Sequence, residues 1–414
     1  MKKDIPLEAI RGVAALVVVV WHVCLGFFPH SISSWQATPL FVFMNGSAAV
    51  QLFFVLSGYV LTRRYFESGD NRILLKGVAK RWPRLMGPVL LVVLASYLLF
   101  KLDLYQFKQA GAVSGSKSLV TFAYGYDVKM PIQFWDALGQ GAFLTFFRGD
   151  CYYDTSLWTM HPEVIGSFIA FGFAPILFEA RKSSLLLTIG LIAIAAVLAG
   201  YARLGACLPD ASVVAFPIGV GLAALLPRGV SIPSKIGCPA LLMALYFLGF
   251  SGAPTGIYAV FHYPILMKHF SDMHVIGAAI LIAVIATCPS IRGVFSGPIS
   301  RFLGELSFPV YLVHLLIISS IGSAIYLRAD VFPAALAVLA LSILVSLPLM
   351  AFNNWWIKQV NAATIRILGK APLAESPMSS KSKTATVLVS LPHEEELVDD
   401  LLPRLSETTA LAEP

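Results

Sequence analysis

The chain has 414 residues, 57% of them hydrophobic and 13% charged, with a mean hydropathy of +0.77. Soluble domains carry roughly 25% charged residues, so half that fraction excludes an ordinary soluble fold and points to an all-α, polytopic membrane protein. In such a chain the net charge of +7 reports orientation, through where Lys and Arg fall, and is no sign of nucleic-acid binding.

A helix crosses a hydrocarbon core about 30 Å thick with roughly 20 apolar residues. By that measure, spans are predicted at 8–28, 43–62, 85–102, 157–178, 184–202, 211–227, 237–268, 275–290, 301–326 and 333–357. The apolar stretch Leu7–Phe28 is too long for a signal h-region and has no small-residue cleavage site, so it reads as the first span. In 237–268 the run "LGFSGAPTGIYAVFHYPIL" places Gly, Ser and Pro mid-segment, so it is either a broken helix or two short ones. Broken backbone at membrane depth persists only where protein or a wet cavity covers it.

The charges orient these spans. Lys2 and Lys3, then Arg63, Arg64, Arg72, Lys76, Lys80, Arg81 and Arg84 in the loop after the second span, fall on one side. So do Arg181, Lys182, Arg228, Lys235, Arg292, Arg301, Lys358, Arg366 and Lys370. On the other side, 29–42 has no Lys or Arg, and the long loop 103–156 mixes both signs. The positive-inside bias places both termini in the cytoplasm, with the protein in the cell (inner or plasma) membrane. The expected organisation is a membrane domain over 1–370 and a polar, disordered cytoplasmic tail over 371–414. Cys24, Cys151, Cys207, Cys238 and Cys288 show no metal or disulfide spacing. Cys151 and Cys207 both fall in outward-facing loops, where a disulfide is open but not favoured.

Ionisable groups at membrane depth are functional candidates, because an uncompensated charge there costs about 2.5–3.5 kcal/mol even on insertion scales. Arg11 and His22 are eleven residues apart, which puts them on one face of the first helix, about 16 Å apart along its axis. Snorkelling of Arg11 and a hydrogen-bonded structural His22 are the plain alternatives. Glu163, in "SLWTMHPEV", and His314, in "LGELSFPVYLVH", are expected at the depth of His22. A carboxylate beside an imidazole would orient the ring for general base catalysis. No zinc geometry can be shown, and no metal is expected. Ser57, in "FFVLSGYVL", sits beside Gly58; close helix packing is the simpler reading of that pair. Arg81 and Arg84, in "KGVAKRWPRLMGP", are either lipid-headgroup contacts or an anion site, since guanidinium forks suit phosphate oxygens.

These segments resemble, in order, the signatures of the integral-membrane acyltransferase family 3. "LEAIRGVAALVVVVWH" is similar to its first helix, with Arg-x10-His after an L-D/E-x-x start, and "FFVLSGYVL" to its second. "KRWPRLMGP" resembles its R-R-x-x-R-I-x-P stretch with Lys80 in place of the first arginine; "SLWTMHPEV" and "LGELSFPVYLVH" resemble its later motifs. The resemblance covers the chain to about Lys358. It implies roughly ten helices and transfer of an acyl group from cytoplasmic acyl-CoA to a hydroxyl of a cell-surface glycan or lipid-linked sugar. By position, it implies Arg11 and His22 as the catalytic pair, with Arg81, Arg84, Ser57, Glu163 and His314 as supporting residues. Val164 stands where the family often has a second acid, and the usual Glu-x-Pro ending of the last helix is absent from "FNNWWIKQVN".

The sequence is therefore read as an O-acyltransferase, an O-acetyltransferase by preference. His22 is the base, oriented by Glu163; Arg81 and Arg84 hold CoA phosphates, and Arg11 guides the donor. Direct transfer and an acyl-enzyme relay stay open. The alternative is a proton-coupled transporter or flippase of a glycolipid or small molecule, built on the same intramembrane charges.

Overall fold

A computed structural model describes residues 4–123, 132–205, 212–226, 229–263 and 270–369. Cys207 and the tail 371–414 lie outside the described residues. Among these residues every regular element is helical. The principal helices are α1 (Ile5–Phe27), α2 (Gly46–Ser68), α3 (Asn71–Lys101), α4 (Met160–Ser183), α5 (Leu185–Gly205), α6 (Ser212–Leu225), α7 (Ser234–Gly249), α8 (Phe270–Thr287), α9 (Pro298–Ile317) and α10 (Val331–Leu368). Among the described residues five helices are long and apolar enough to cross a membrane: α1, α3, α4, α9 and α10. Helices α6 and α7 are shorter, with 14 and 16 residues, and α2 carries Arg63, Arg64 and Glu67 in its last turns.

Several boundaries differ from the expected ones. The basic segment 63–84 is not a loop. Gly69, with φ of +68°, ends α2 in the left-handed cap that glycine favours. Asp70 then accepts the Arg72 N–H at 2.9 Å and starts α3 directly. Capped at once, the basic residues continue as helix through Pro83 and Pro88. The last helix runs on to Leu368, past the expected end at 357. The long segment 237–268 resolves into α7 followed by irregular backbone and a 3₁₀ turn over Gly256–Phe261; residues 264–269 lie outside the described residues.

The loop 103–156 also holds more structure than its mixed charge suggests. Phe134–Phe147 is helical, with a π-helical stretch at Gln140–Leu144, and runs antiparallel to α3. The Phe134 ring meets Tyr97, Gly141 lies against Leu90 and Val93, and Trp82 donates to the Ala142 carbonyl at 2.9 Å. From Tyr97 to Trp82 is about 22 Å of helix rise. The segment therefore re-enters the bundle beside α3, with Phe134, Trp135, Phe143 and Phe147 facing outward. An apolar run this short reads as re-entrant and not spanning.

α1 packs chiefly on α9, and α2 chiefly on α6. Both crossings are made by glycine. A Cβ on Gly12 would sit 2.4 Å from the Leu303 carbonyl oxygen, and one on Gly58 would sit 2.4 Å from that of Phe216. Small residues at such crossings let membrane helices approach closely. At one end of the bundle Asp4 bonds Arg63 at 3.0 Å and Arg292 at 2.8 Å. Arg181 donates to the Phe66 carbonyl at 2.9 Å. The basic segments that the charge pattern groups at 63–84, 181–182 and 292 thus share one end with the chain's start. At the other end, residues 103–123 cover α1 and the π-helical stretch Ile318–Gly322 that follows α9: Ser116 donates to the Leu25 carbonyl at 2.5 Å and Gln106 N–H to that of Ser319 at 3.0 Å.

The α2–α6 crossing is testable. Gly58→Ala forces a clash with backbone, so the purified protein is expected to lose about 1–3 kcal/mol, read as a lower unfolding midpoint in detergent. An unchanged midpoint would mean the helices are not held at this distance.

Candidate functional site

Two polar clusters lie between the helices. The first joins three of them. Arg81 of α3 forms a short contact through Nη2 with Glu163 Oε1 of α4, and its Nε donates to Ser167 Oγ at 2.7 Å. Ser57 of α2 donates to the same Glu163 oxygen at 2.7 Å, and Ser167 returns its proton to the Glu163 carbonyl at 2.6 Å. The Arg81 and Glu163 side chains are 8% and 14% exposed, so the pair is shielded from water.

This corrects the expected partnership of Glu163 with His22. A buried guanidinium cannot shed its charge and needs a carboxylate more than a neutral imidazole does. Glu163 therefore belongs to Arg81, and Ser57 faces a carboxylate and not a histidine. Arg11 bonds Glu8 through Nη1 at 3.0 and 3.1 Å. Arg11, Arg81 and Arg84 are within electrostatic reach of one another, with Glu8 and Glu163 among them. Arg84 is exposed and makes no side-chain hydrogen bond among the described residues.

The second cluster is a pair of imidazoles. His314 of α9 is fully buried, and its Nδ1 lies 2.5 Å from the Tyr311 carbonyl oxygen. His22 of α1 is half-buried, with Nδ1 2.9 Å from the Val18 carbonyl oxygen and 3.2 Å from His314 Nε2. A carbonyl can only accept, so each Nδ1 carries the hydrogen. His314 Nε2 is then a lone-pair acceptor, and the His22 Nδ1–H is shared between it and Val18. The remaining ring nitrogen, His22 Nε2, holds an unshared pair with no partner among the described residues. Phe122 closes one side, its ring edge-on to His22 at 5.3 Å.

Sequence reasoning missed the scaffold behind this pair. Tyr311 O–H donates to the Ser156 carbonyl at 2.8 Å and meets Thr159 Oγ1 at 2.8 Å, which ties α9 to the turn that opens α4. Tyr311 lies within electrostatic reach of both Asp154 and Glu163, so the two clusters adjoin. The signal was present in "YLVH": a tyrosine three residues before a histidine shares its helix face. Asp154 lies in the loop ahead of α4. Its Oδ1 accepts from Ser156 N–H at 2.8 Å and Oγ at 2.6 Å, while Oδ2 is buried without a partner. Desolvation pushes this carboxyl up to about 7, against the pull of the Ser156 bonds.

Two outcomes follow. An unfolded aspartate ionises near about 4, whereas the folded one holds its proton to about 7. Ionisation therefore costs stability as pH rises across that window, and the full penalty is present above it. Asp154→Asn keeps the cap, so it should raise the unfolding midpoint at pH 8 and give no gain at pH 4; an equal effect at both would exclude a buried charge. Arg81→Ala strands the Glu163 carboxylate and should cost about 3–5 kcal/mol. Arg81→Met with Glu163→Leu should recover most of that loss in the same thermal measurement.

Comparison with known proteins agrees with this architecture. A family model described as an acyltransferase domain, number 3 of that name, matches residues 5–351. No curated protein and no solved structure matches the chain. The matched region holds both clusters and nine of the ten principal helices in full, and the chain belongs to this family of membrane acyltransferases.

Proposed function

We propose that the protein is an O-acyltransferase of the cell membrane. It takes an acetyl group from cytoplasmic acetyl-CoA and delivers it to a hydroxyl of a cell-surface glycan or lipid-linked sugar. The observation that carries this reading is the unclaimed lone pair on His22 Nε2, held in place by Val18 and His314. In the proposed step Nε2 takes the acceptor's hydroxyl proton as the oxygen attacks the thioester carbonyl. The C–O bond forms, the C–S bond breaks, and the departing thiolate takes the proton from the His22 imidazolium. His314, a neutral acceptor on Nδ1–H, steadies that cation and fixes the ring.

The donor is expected to enter from the end of the bundle where the basic segments gather, which this reading assigns to the cytoplasm. Arg84 holds its pyrophosphate. Arg81, with two of its nitrogens engaged by Glu163 and Ser167, contributes mainly through its charge and Nη1. Arg11, paired with Glu8, guides the donor along α1, and the long pantetheine arm bridges the distance to His22. The bonds that hold Ser57 and Glu163 fit a positioning role for both.

The test is thiol release from acetyl-CoA by the purified protein in liposomes with hydroxyl acceptors. Loss of a general base costs about 10²–10⁴-fold, so His22→Ala, and His22→Gln as a polar variant of similar length without the ring, should lose at least 100-fold in kcat. Arg84→Ala should raise KM for acetyl-CoA at unchanged kcat. Proton-coupled uptake without thiol release, or full activity in the well-folded His22 variants, would refute the reading.

A further inference from the structure

Lys76, Lys80 and Arg84 recur at steps of four on α3, so they form one stripe along the helix, each about 6 Å of rise from the next. Lys76 is 9% exposed, and its Nζ is buried with no hydrogen-bond partner. Lys80 is half-buried and lies within electrostatic reach of Lys76, Arg84 and Arg64. The carboxylates within reach of Arg84 are Glu8 and Glu163, and both are already bonded, to Arg11 and Arg81. Like charges at this spacing repel, and a buried ammonium without an acceptor is costly. A row of cations with no anion of its own is arranged for one that arrives from outside.

We propose that this stripe is a phosphate-ester site in which Lys76, a position outside the arginine motif, binds the 3′-phosphate of the CoA donor. The proposal rests on the acyltransferase reading above. Its polarity follows from the helix. Lys76 is five residues from the start of α3, at the end that shares the bundle's basic rim, and Arg84 is two turns deeper. CoA carries phosphate in two places, the 3′-phosphate on the adenosine and the pyrophosphate before the pantetheine arm. Adenosine outermost puts the 3′-phosphate at Lys76 and the pyrophosphate at Lys80 and Arg84. The thioester arm then points inward, toward His22. The same ammonium chemistry would also suit the phosphate of an anionic lipid, and the test separates the two.

Lys76→Met keeps the length of the stem and removes the charge. Initial rates are measured with acetyl-CoA and with acetyl-dephospho-CoA, which lacks only the 3′-phosphate. Wild type should show a KM for acetyl-CoA about tenfold below that for the dephospho donor. In Lys76→Met the two KM values should converge on the higher one at unchanged kcat, and Lys76→Arg should restore the gap. A shift of equal size for both donors, or none for either, overturns the assignment. In nanodiscs without donor, a headgroup site would show as a rise in unfolding midpoint with anionic over zwitterionic lipid that Lys76→Met abolishes. That result with unchanged donor kinetics also overturns it. If neither donor releases thiol, the acyltransferase reading fails separately. The phosphate site then stands only if CoA raises the wild-type midpoint more than dephospho-CoA does, with the difference lost in Lys76→Met, and it falls otherwise.

Discussion

A buried N–H must find an acceptor, and in this bundle two backbone carbonyls supply one to each of two adjacent imidazoles. Val18 and Tyr311, each one turn back along its own helix, take the Nδ1 hydrogens of His22 and His314. That single requirement fixes both tautomers. It sets the direction of the bond between the rings and leaves one lone pair, on His22 Nε2, without a partner among the described residues. The close α1–α9 crossing at Gly12 brings the two rings into contact. Tyr311 ties α9 to the turn before α4, so the pair is held from behind.

The same low-dielectric logic sorts the charges. Arg81 and Glu163 satisfy each other and Ser57, joining α2, α3 and α4 across the middle of the bundle. Such a pair contributes order more than net stability, since desolvation offsets much of its attraction. Arg84 and Lys76 have no such partner among the described residues. Burial thus divides the charges of one basic run into paired groups that join helices and groups without a partner among the described residues.

Much of this was legible in the sequence, and the illegible parts have physical causes. The eleven-residue spacing of Arg11 and His22 fixed a shared helix face, and apolar length located the principal helices. What a one-dimensional reading supplies is rise along an axis. It does not supply the neighbour across a crossing, so Glu163 was expected beside His22 when its partner is Arg81. The charged run 63–84 interrupts the apolar pattern and so was expected as a loop, whereas Gly69 and Asp70 start α3 ahead of it and the helix runs through. Reading that run as loop also hid Lys76, whose burial has meaning only on a packed helix. The re-entrant Phe134–Phe147 was too short for a 20-residue window to register.

The most direct measurement is the ¹⁵N spectrum of the protein labelled at the histidine ring nitrogens, with His22 assigned by difference from a His22→Gln sample. At neutral pH the account predicts a protonated Nδ1 and an unprotonated Nε2 for His22, with Nε2 shifting when a hydroxyl acceptor binds. A His22 ring whose hydrogen resides on Nε2 would leave no lone pair facing the acceptor and would contradict the account.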